Sequence, residues 1–170
     1  MDHFARRDDE LALAQQEKTL HRNFQGYSTR GDADIYALGM SSISQTPGAY
    51  WQNRKDLTEY YAALDAGKSP VARGYLLSDE DKLRRDTIMR LMCDLSLNFN
   101  ELSRKHGVNF AEHFSRELAS LSDLEADGLL CPTSLGLEVT PRGRFFLRNI
   151  AMRFDEYLPH ESERRFSRTI

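Results

Sequence analysis

The sequence is poor in the residues that hold metal. Its 170 residues include two cysteines, Cys93 and Cys131, whereas an iron–sulfur cluster takes three or four thiolates and a structural zinc site four ligands. His106 and His113 do not complete a set, because neither stands at ligand spacing from a cysteine. The composition therefore excludes a self-contained metal site, and both cysteines are expected at buried structural positions. Two cysteines without partner spacing also exclude a disulfide scaffold and point to a reducing compartment. No apolar run approaches the length of a membrane span, and the opening MDHFARRDDE is charged where a secretory signal is apolar. A cytoplasmic location is expected. Excess positive charge is missing too. Lys and Arg number 23 against 26 Asp and Glu, for a net charge of -3, so nothing draws the whole chain to nucleic acid or anionic lipid.

What remains is the composition of a folded protein. Hydrophobic residues make up 40% and aromatics 10% of the chain, enough for one substantial core, or for a compact domain with part of another attached. The pattern predicts an α+β fold, mostly helical, in three parts and a tail. In the first part, residues 1–45, Met1-Asp2-His3-Phe4 reads as the end of a strand. Asp8 and Asp9 then start a helix through Leu11, Ala12, Ala14, Gln15 and Leu20. Asn23-Phe24-Gln25-Gly26-Tyr27-Ser28-Thr29 sets β-favouring aromatics around a glycine, and Ile35 to Ser44 is a second strand-like run holding Gly39 and small serines. The second part, residues 46–77, is a connection with a Pro47-Gly48 turn, a helix over Asp56–Ala66 closed by Gly67, and a strand over Val71–Leu77.

The third part, residues 78–158, is mostly helical. Ser78-Asp79-Glu80-Asp81 is a capping-box-like start, after which Ile88, Leu91, Met92 and Leu95 share one helical face. Gly107 stops a short helix, and Asn109 caps another with Phe110, Phe114, Leu118 and Leu121 as its stripe. Gly128 ends that region, Leu129 to Val139 reads as a hairpin around Gly136, and Thr140-Pro141 opens a last helix burying Leu147, Ile150, Phe154 and Leu158. Helices, a β-wing and a closing helix suggest a winged-helix-like arrangement. The tail, residues 159–170, is polar and expected to be loosely held.

Two segments carry candidate chemistry. Arg142, Arg144 and Arg148, with Arg153, form a basic stripe. In a winged helix such a stripe could meet a phosphate backbone. It could equally be a solvated face balanced by Asp155, Glu156 and Glu161, or bind a small molecule with several carboxylates through bidentate pairing. The acidic net charge makes nucleic acid the unfavoured partner. Asn23-Phe24-Gln25-Gly26-Tyr27 combines an amide able to pair with a nucleoside or amino-acid edge, an aromatic able to pack on a base, and a glycine permitting close approach. A core strand beside a turn would have the same composition. His3 and His21 read as structural histidines.

Five segments together, MDHFARRDDELALAQ, HRNFQGYSTRGDADIYALGMSSISQ, LRRDTIMRLMCDLSLNF, EADGLL and VTPRGRFFLRNIAMRFDEYL, resemble one family in the expected order. It is the oxygen-independent coproporphyrinogen III oxidases (dehydrogenases), radical S-adenosylmethionine enzymes of haem biosynthesis. The resemblance implies a partial (β/α) barrel, whose closing strands would be residues 1–45, followed by a helical domain covering the active site from residue 78. It implies a reaction: two propionates of coproporphyrinogen III lose carbon dioxide to become vinyl groups, giving protoporphyrinogen IX, through a radical made from S-adenosylmethionine at a 4Fe-4S cluster. It also implies a second S-adenosylmethionine lying against Phe24, Gln25 and Ile43, with Asp2 and His3 near the end of a barrel strand. The family's CxxxCxxC cluster motif has no match at Cys93 or Cys131, so cluster ligands are expected upstream of Met1 and this chain alone is expected to be inactive. Arg142, Arg144 and Arg148 are candidate contacts to substrate carboxylates. The incomplete barrel would expose strand edges through which the chain could self-associate. A free-standing winged-helix module binding nucleic acid or protein, and an inactive truncated product, are the alternatives.

Overall fold

A computed structural model of the chain describes residues 5–31 and 33–158. The strand expected at residues 1–4, with Asp2 and His3, and the tail at 159–170 lie outside the described residues. The chain folds as two compact units, Met1–Arg85 and Asp86–Ile170.

In the first unit Asp9 opens α1 (Glu10–Gln16), its carboxylate accepting from the Leu11 amide at 2.9 Å. An antiparallel hairpin follows, β1 (His21–Asn23) with β2 (Gly26–Ser28), closed at Asn23 opposite Gly26. A three-stranded antiparallel sheet runs in the order β3 (Ile43–Gln45), β4 (Ala49–Asn53), β5 (Val71–Leu76). Between β4 and β5 lies α2 (Leu57–Asp65), which begins where Asp56 accepts from the Glu59 amide at 3.0 Å. It ends where Gly67 takes a left-handed φ of 66°. The sequence had signalled α1, α2 with its Gly67 stop, and β5, but not β4, the hairpin or the pairing of the strands.

The run from Ile35 to Ser44 is different from expectation. It is not one strand. Ile35 makes an isolated bridge to Gln45, and residues 36–42 leave as a loop because Gly39 and Ser41 adopt φ of 100° and 58°. Buried polar groups hold that loop. The Asn53 side-chain amide donates to the Gly39 carbonyl and the Ser42 hydroxyl, both at 3.0 Å. The Ala37 amide donates to the Ser44 hydroxyl at 2.9 Å. The small serines therefore serve the backbone of a turn rather than clearing space beside a strand.

The long helix α3 (Asp79–Asp94) starts in the first unit and continues into the second. Its capping box is formed. The Ser78 amide and hydroxyl donate to the Asp81 carboxylate at 2.8 and 2.7 Å, and the Asp81 amide donates back to the Ser78 hydroxyl at 3.1 Å. Leu83, Thr87 and Leu91, spaced four apart, make the fully buried line. Ile88, Met92 and Leu95 of the expected face are only half-buried.

The second unit adds a strand the sequence did not signal, β6 (Ser96–Asn98), three residues being too few to show alternation. It pairs with β8 (Gly136–Val139), which pairs with β7 (Leu130–Thr133). Asn98 ends β6 and caps α4 (Phe99–His106), accepting from the amides of Asn100 and Glu101 at 3.1 and 3.2 Å. The single helix expected after Asn109 is divided into α5 (Phe110–His113), α6 (Ser115–Ala119) and α7 (Ser122–Ala126). Its apolar stripe still converges: Phe110, Phe114 and Leu121 are buried. Phe110 and Phe114 meet at 4.7 Å between ring centroids, and Phe154 meets Phe114 edge-on at 5.5 Å.

The closing segment is likewise divided, into a 3-10 turn at Gly143–Phe146, α8 (Leu147–Ala151) and a second 3-10 turn at Met152–Phe154. Leu147, Ile150 and Phe154 are buried as expected, and Leu158 is half-buried. Cys93 is buried, but Cys131 is exposed, contrary to expectation. It sits on an edge strand opposite the exposed Glu138, on the solvent face of the sheet, while its neighbour Leu130 faces inward.

Candidate functional site

Phe24 and Gln25 are the two loop residues of the β1–β2 hairpin, between Asn23 and Gly26. A core-strand placement is thereby ruled out: both side chains are exposed, Phe24 by 56%. The turn is fixed from both ends. Asn23 accepts from the Gln25 amide at 2.8 Å, the local bond that suits asparagine to such turns. Gly26 takes the positive φ, 134°, that a side chain would resist. The aromatic and the amide are thus presented at a defined tip.

That tip meets the three-stranded sheet. The Phe24 ring packs edge-on against Tyr50, with centroids 5.5 Å apart and planes at 76°. Tyr50 lies opposite Gln45 and Tyr75, and Gln52 lies opposite Ile43 and Arg73. Direct partners in an antiparallel sheet share a face, as do alternate residues of one strand. Ile43, Gln45, Tyr50, Gln52, Arg73 and Tyr75 therefore line one face, on which Ile43 and Tyr50 are diagonal neighbours, about 7–8 Å apart. The Arg73 guanidinium donates twice to the Gln52 side-chain carbonyl at 3.0 and 2.7 Å, tying β5 to β4 on that face. The structure thus brings Phe24 and Ile43 to the same side of one sheet, with Gln25 beside Phe24.

The other sequence candidates are on other elements or outside the described residues. Arg142, Arg144 and Arg148 are exposed in the second unit, and none has an ion-pair partner among the described residues. Arg153 is different, pairing with Asp123 at 2.7 Å. Asp2 and His3 lie outside the described residues. His21 packs its ring against the backbone of Gly31, where an added Cβ would collide with it, which supports a structural role.

A second polar cluster escaped sequence reasoning. Asp86, at side-chain exposure of 12%, receives Lys105 Nζ at 2.8 Å, His106 Nε2 at 2.9 Å and Arg90 Nε at 3.6 Å. Burial pushes the Asp86 carboxyl up. The hydrogen bonds from Lys105 and His106 and the positive charges of Lys105 and Arg90 outweigh it, leaving the group below the usual carboxylate range. The i,i+4 spacing of Asp86 and Arg90 was visible in the sequence, but its link to Lys105 and His106 is tertiary.

The residues present fit one implied group and not the other. An exposed aromatic ring, an exposed amide and an aliphatic wall suit the adenosyl and amino-acid parts of S-adenosylmethionine. The donor set does not suit an iron–sulfur cluster. Cys93 is buried with its sulfur 3.6 Å from that of Met89, Cys131 is exposed, and no group of three metal-ligating side chains occurs among the described residues. No helix among the described residues is long and apolar enough to cross a membrane.

Comparison with known proteins gives a consistent picture. Residues 77–146 match the HemN C-terminal domain family. The whole chain aligns with the oxygen-independent coproporphyrinogen III oxidase of Salmonella typhimurium at 47% identity, covering 37% of that protein. It aligns likewise with that of Synechocystis at 48% identity, covering 38% of it. The solved structure of Escherichia coli coproporphyrinogen III oxidase, described as a radical SAM enzyme, superposes with a TM-score of 0.89 at 45% identity, over 93% of this chain and 36% of that one. The chain thus spans a little over a third of the length of these relatives.

Proposed function

Related along its whole length to the C-terminal part of the oxygen-independent coproporphyrinogen III oxidases, this chain, we propose, supplies one wall of a cofactor pocket and the cover of a substrate site. The pocket belongs to an oxidoreductase that decarboxylates two propionates of coproporphyrinogen III to give protoporphyrinogen IX. The observation that carries this reading is the hairpin tip, which sets the Phe24 ring against a sheet face that also bears Ile43, with Gln25 exposed beside it.

Each side chain has a definite task in this reading. Phe24 gives an apolar face on which a purine or a methyl-sulfonium edge packs, Gln25 gives an amide that both donates and accepts, and Ile43 closes the wall against water. The S-adenosylmethionine bound here would supply the adenosyl chemistry of the family. The residues of the wall bind and orient it.

The first unit has few buried apolar side chains, Ala14, Leu20 and Leu83 among them. It exposes many large ones, including Tyr36, Leu38, Val71 and Leu76. That imbalance supports its being the closing portion of a partial barrel, completed by a larger body. In the second unit, helices α4 to α7 beside the β6-β8-β7 sheet support a winged-helix-like cover. Arg142, Arg144 and Arg148, exposed and without an ion-pair partner among the described residues, support contacts to substrate carboxylates.

The test is a chimera in which this chain replaces the corresponding part of the Salmonella typhimurium relative. The chimera is expected to convert coproporphyrinogen III. Phe24→Ala and Gln25→Ala are expected to reduce turnover at subsaturating S-adenosylmethionine at least tenfold with iron content unchanged. Undiminished turnover in both variants would refute the pocket assignment.

A further inference from the structure

The wall residue Phe24 does not stand alone. Its ring is more than half exposed and, among the described residues, packs on the ring of Tyr50 at 5.5 Å. Tyr50 is itself held in place. The guanidinium of Arg85 lies over its ring, 5.9 Å from the centroid. The same group donates to the Tyr50 hydroxyl at 3.4 Å, the Thr46 carbonyl at 3.5 Å and the Pro47 carbonyl at 2.8 Å. Arg85 thus grips both the aromatic ring and the β3–β4 turn, from a place on α3. A planar, always charged fork can make these contacts at once, which a lysine could not.

We infer that Tyr50 is a positioning residue for Phe24, and that Arg85 sets the place of Tyr50, so that the ligand-facing ring is fixed by a two-residue chain beneath it. The inference rests on the reading of Phe24 as a wall of the S-adenosylmethionine pocket, and adds to it the residues that determine where that wall stands. The physical ground is the hairpin's shape. A tight turn fixes the backbone at Phe24 but leaves χ1 of an exposed side chain free among its staggered wells. An edge-on contact with a ring already held by Arg85 selects one of them. Ordering the ring in advance lowers the entropy lost on ligand binding. Tyr50 and Arg85 act through Phe24, so their loss should weaken binding and leave the chemical step intact.

The experiment uses the full chain for spectroscopy and the chimera described above for kinetics. In Tyr50→Leu, the Phe24 ring protons, shifted by Tyr50 in the parent, should return toward free-phenylalanine values in NMR spectra. The KM for S-adenosylmethionine should rise about three- to tenfold, the scale of one aromatic contact, with kcat and iron content unchanged. Tyr50→Phe, which keeps the ring, should restore both. Arg85→Met should move the Phe24 resonances part of the way and raise KM by a smaller factor, and it serves as the test should Tyr50→Leu not fold. Unmoved Phe24 resonances in Tyr50→Leu and Arg85→Met would overturn the inference. So would an unchanged KM in those variants where Phe24→Ala raises it. An unchanged KM in Phe24→Ala itself would instead overturn the pocket reading on which the inference stands.

Discussion

Gly143→Ala is the sharpest single test of the packing described above. Gly143 is buried at the start of the closing segment, and its amide donates to the Thr140 hydroxyl at 3.0 Å. A Cβ built there would run into the Leu129 carbonyl oxygen, with the carbonyl carbon at 2.7 Å and Val139 Cγ1 at 2.9 Å. These are backbone atoms and a β-branched methyl, so no flexible side chain can yield. The Leu129 carbonyl also accepts from the Thr140 amide at 3.0 Å and the Thr140 hydroxyl at 3.2 Å. Any shift that relieves the clash strains those two bonds, each worth about 1 kcal/mol net. Overpacking a tight site costs about 1–3 kcal/mol in addition. The sum is a loss of about 3–5 kcal/mol, a large share of the stability of a small unit. Urea unfolding followed by far-UV circular dichroism should show a markedly lower midpoint for Gly143→Ala. The exposed neighbouring change Arg142→Ala should stay within about 0.5 kcal/mol of the parent. A Gly143→Ala loss below about 1 kcal/mol would refute the close approach of residue 143 to Leu129.

Two further outcomes follow from the polar clusters. Because the Asp86 carboxyl titrates below its unfolded value, its stabilisation is present above the unfolded carboxylate pKa of about 4 and is lost as pH falls through the lower folded value. Asp86→Asn should therefore destabilise at pH 7 by about 1 kcal/mol, the mostly exposed Lys105 limiting the figure. The gap from the parent should shrink in thermal melts at progressively lower pH; a constant gap from pH 7 to pH 2.5 would contradict the pairing. Asn53→Ala removes the two side-chain hydrogen bonds that its amide donates to the Gly39–Ser42 loop and should cost about 1–3 kcal/mol. It can be followed by fluorescence of the single tryptophan, Trp51, in the same sheet. A midpoint equal to that of the parent would show that the buried amide does not hold the loop.

Local chemistry made much of this architecture legible in the sequence. Asp9, Asp56, Ser78 and Asn109 act at helix starts through bonds spanning three residues or fewer, and Gly67 and Gly107 end helices through their own φ. The failures have a common cause. Whether Ile35–Ser44 runs straight depends on Asn53 and Arg54, and the aromatic segment after Asn109 packs on Phe99 and Phe154, all of them remote in sequence. For the candidate site, residue type and spacing marked Phe24 and Gln25. Only the register of β3, β4 and β5 shows that Tyr50 and Ile43 occupy one face, and only tertiary structure brings Arg85 over Tyr50.

The hairpin itself argues for binding over core packing. A buried turn must find partners for its free backbone groups, whereas an exposed one leaves them to water. Here the turn is exposed and yet carries a phenylalanine, a residue that two-residue loops do not require for their geometry. The conformational work is done by Asn23, through its bond to the Gln25 amide, and by Gly26, through its positive φ. Phe24 and Gln25 are therefore free of any duty to the turn. Leaving a large apolar side chain wholly in water forgoes about 1.5–3 kcal/mol of burial, and Phe24, 56% exposed and packed edge-on against Tyr50, forgoes roughly half of that. That half is available to a ligand that covers the ring. A hairpin whose structural residues and exposed residues are so cleanly separated can change what it presents without changing its fold.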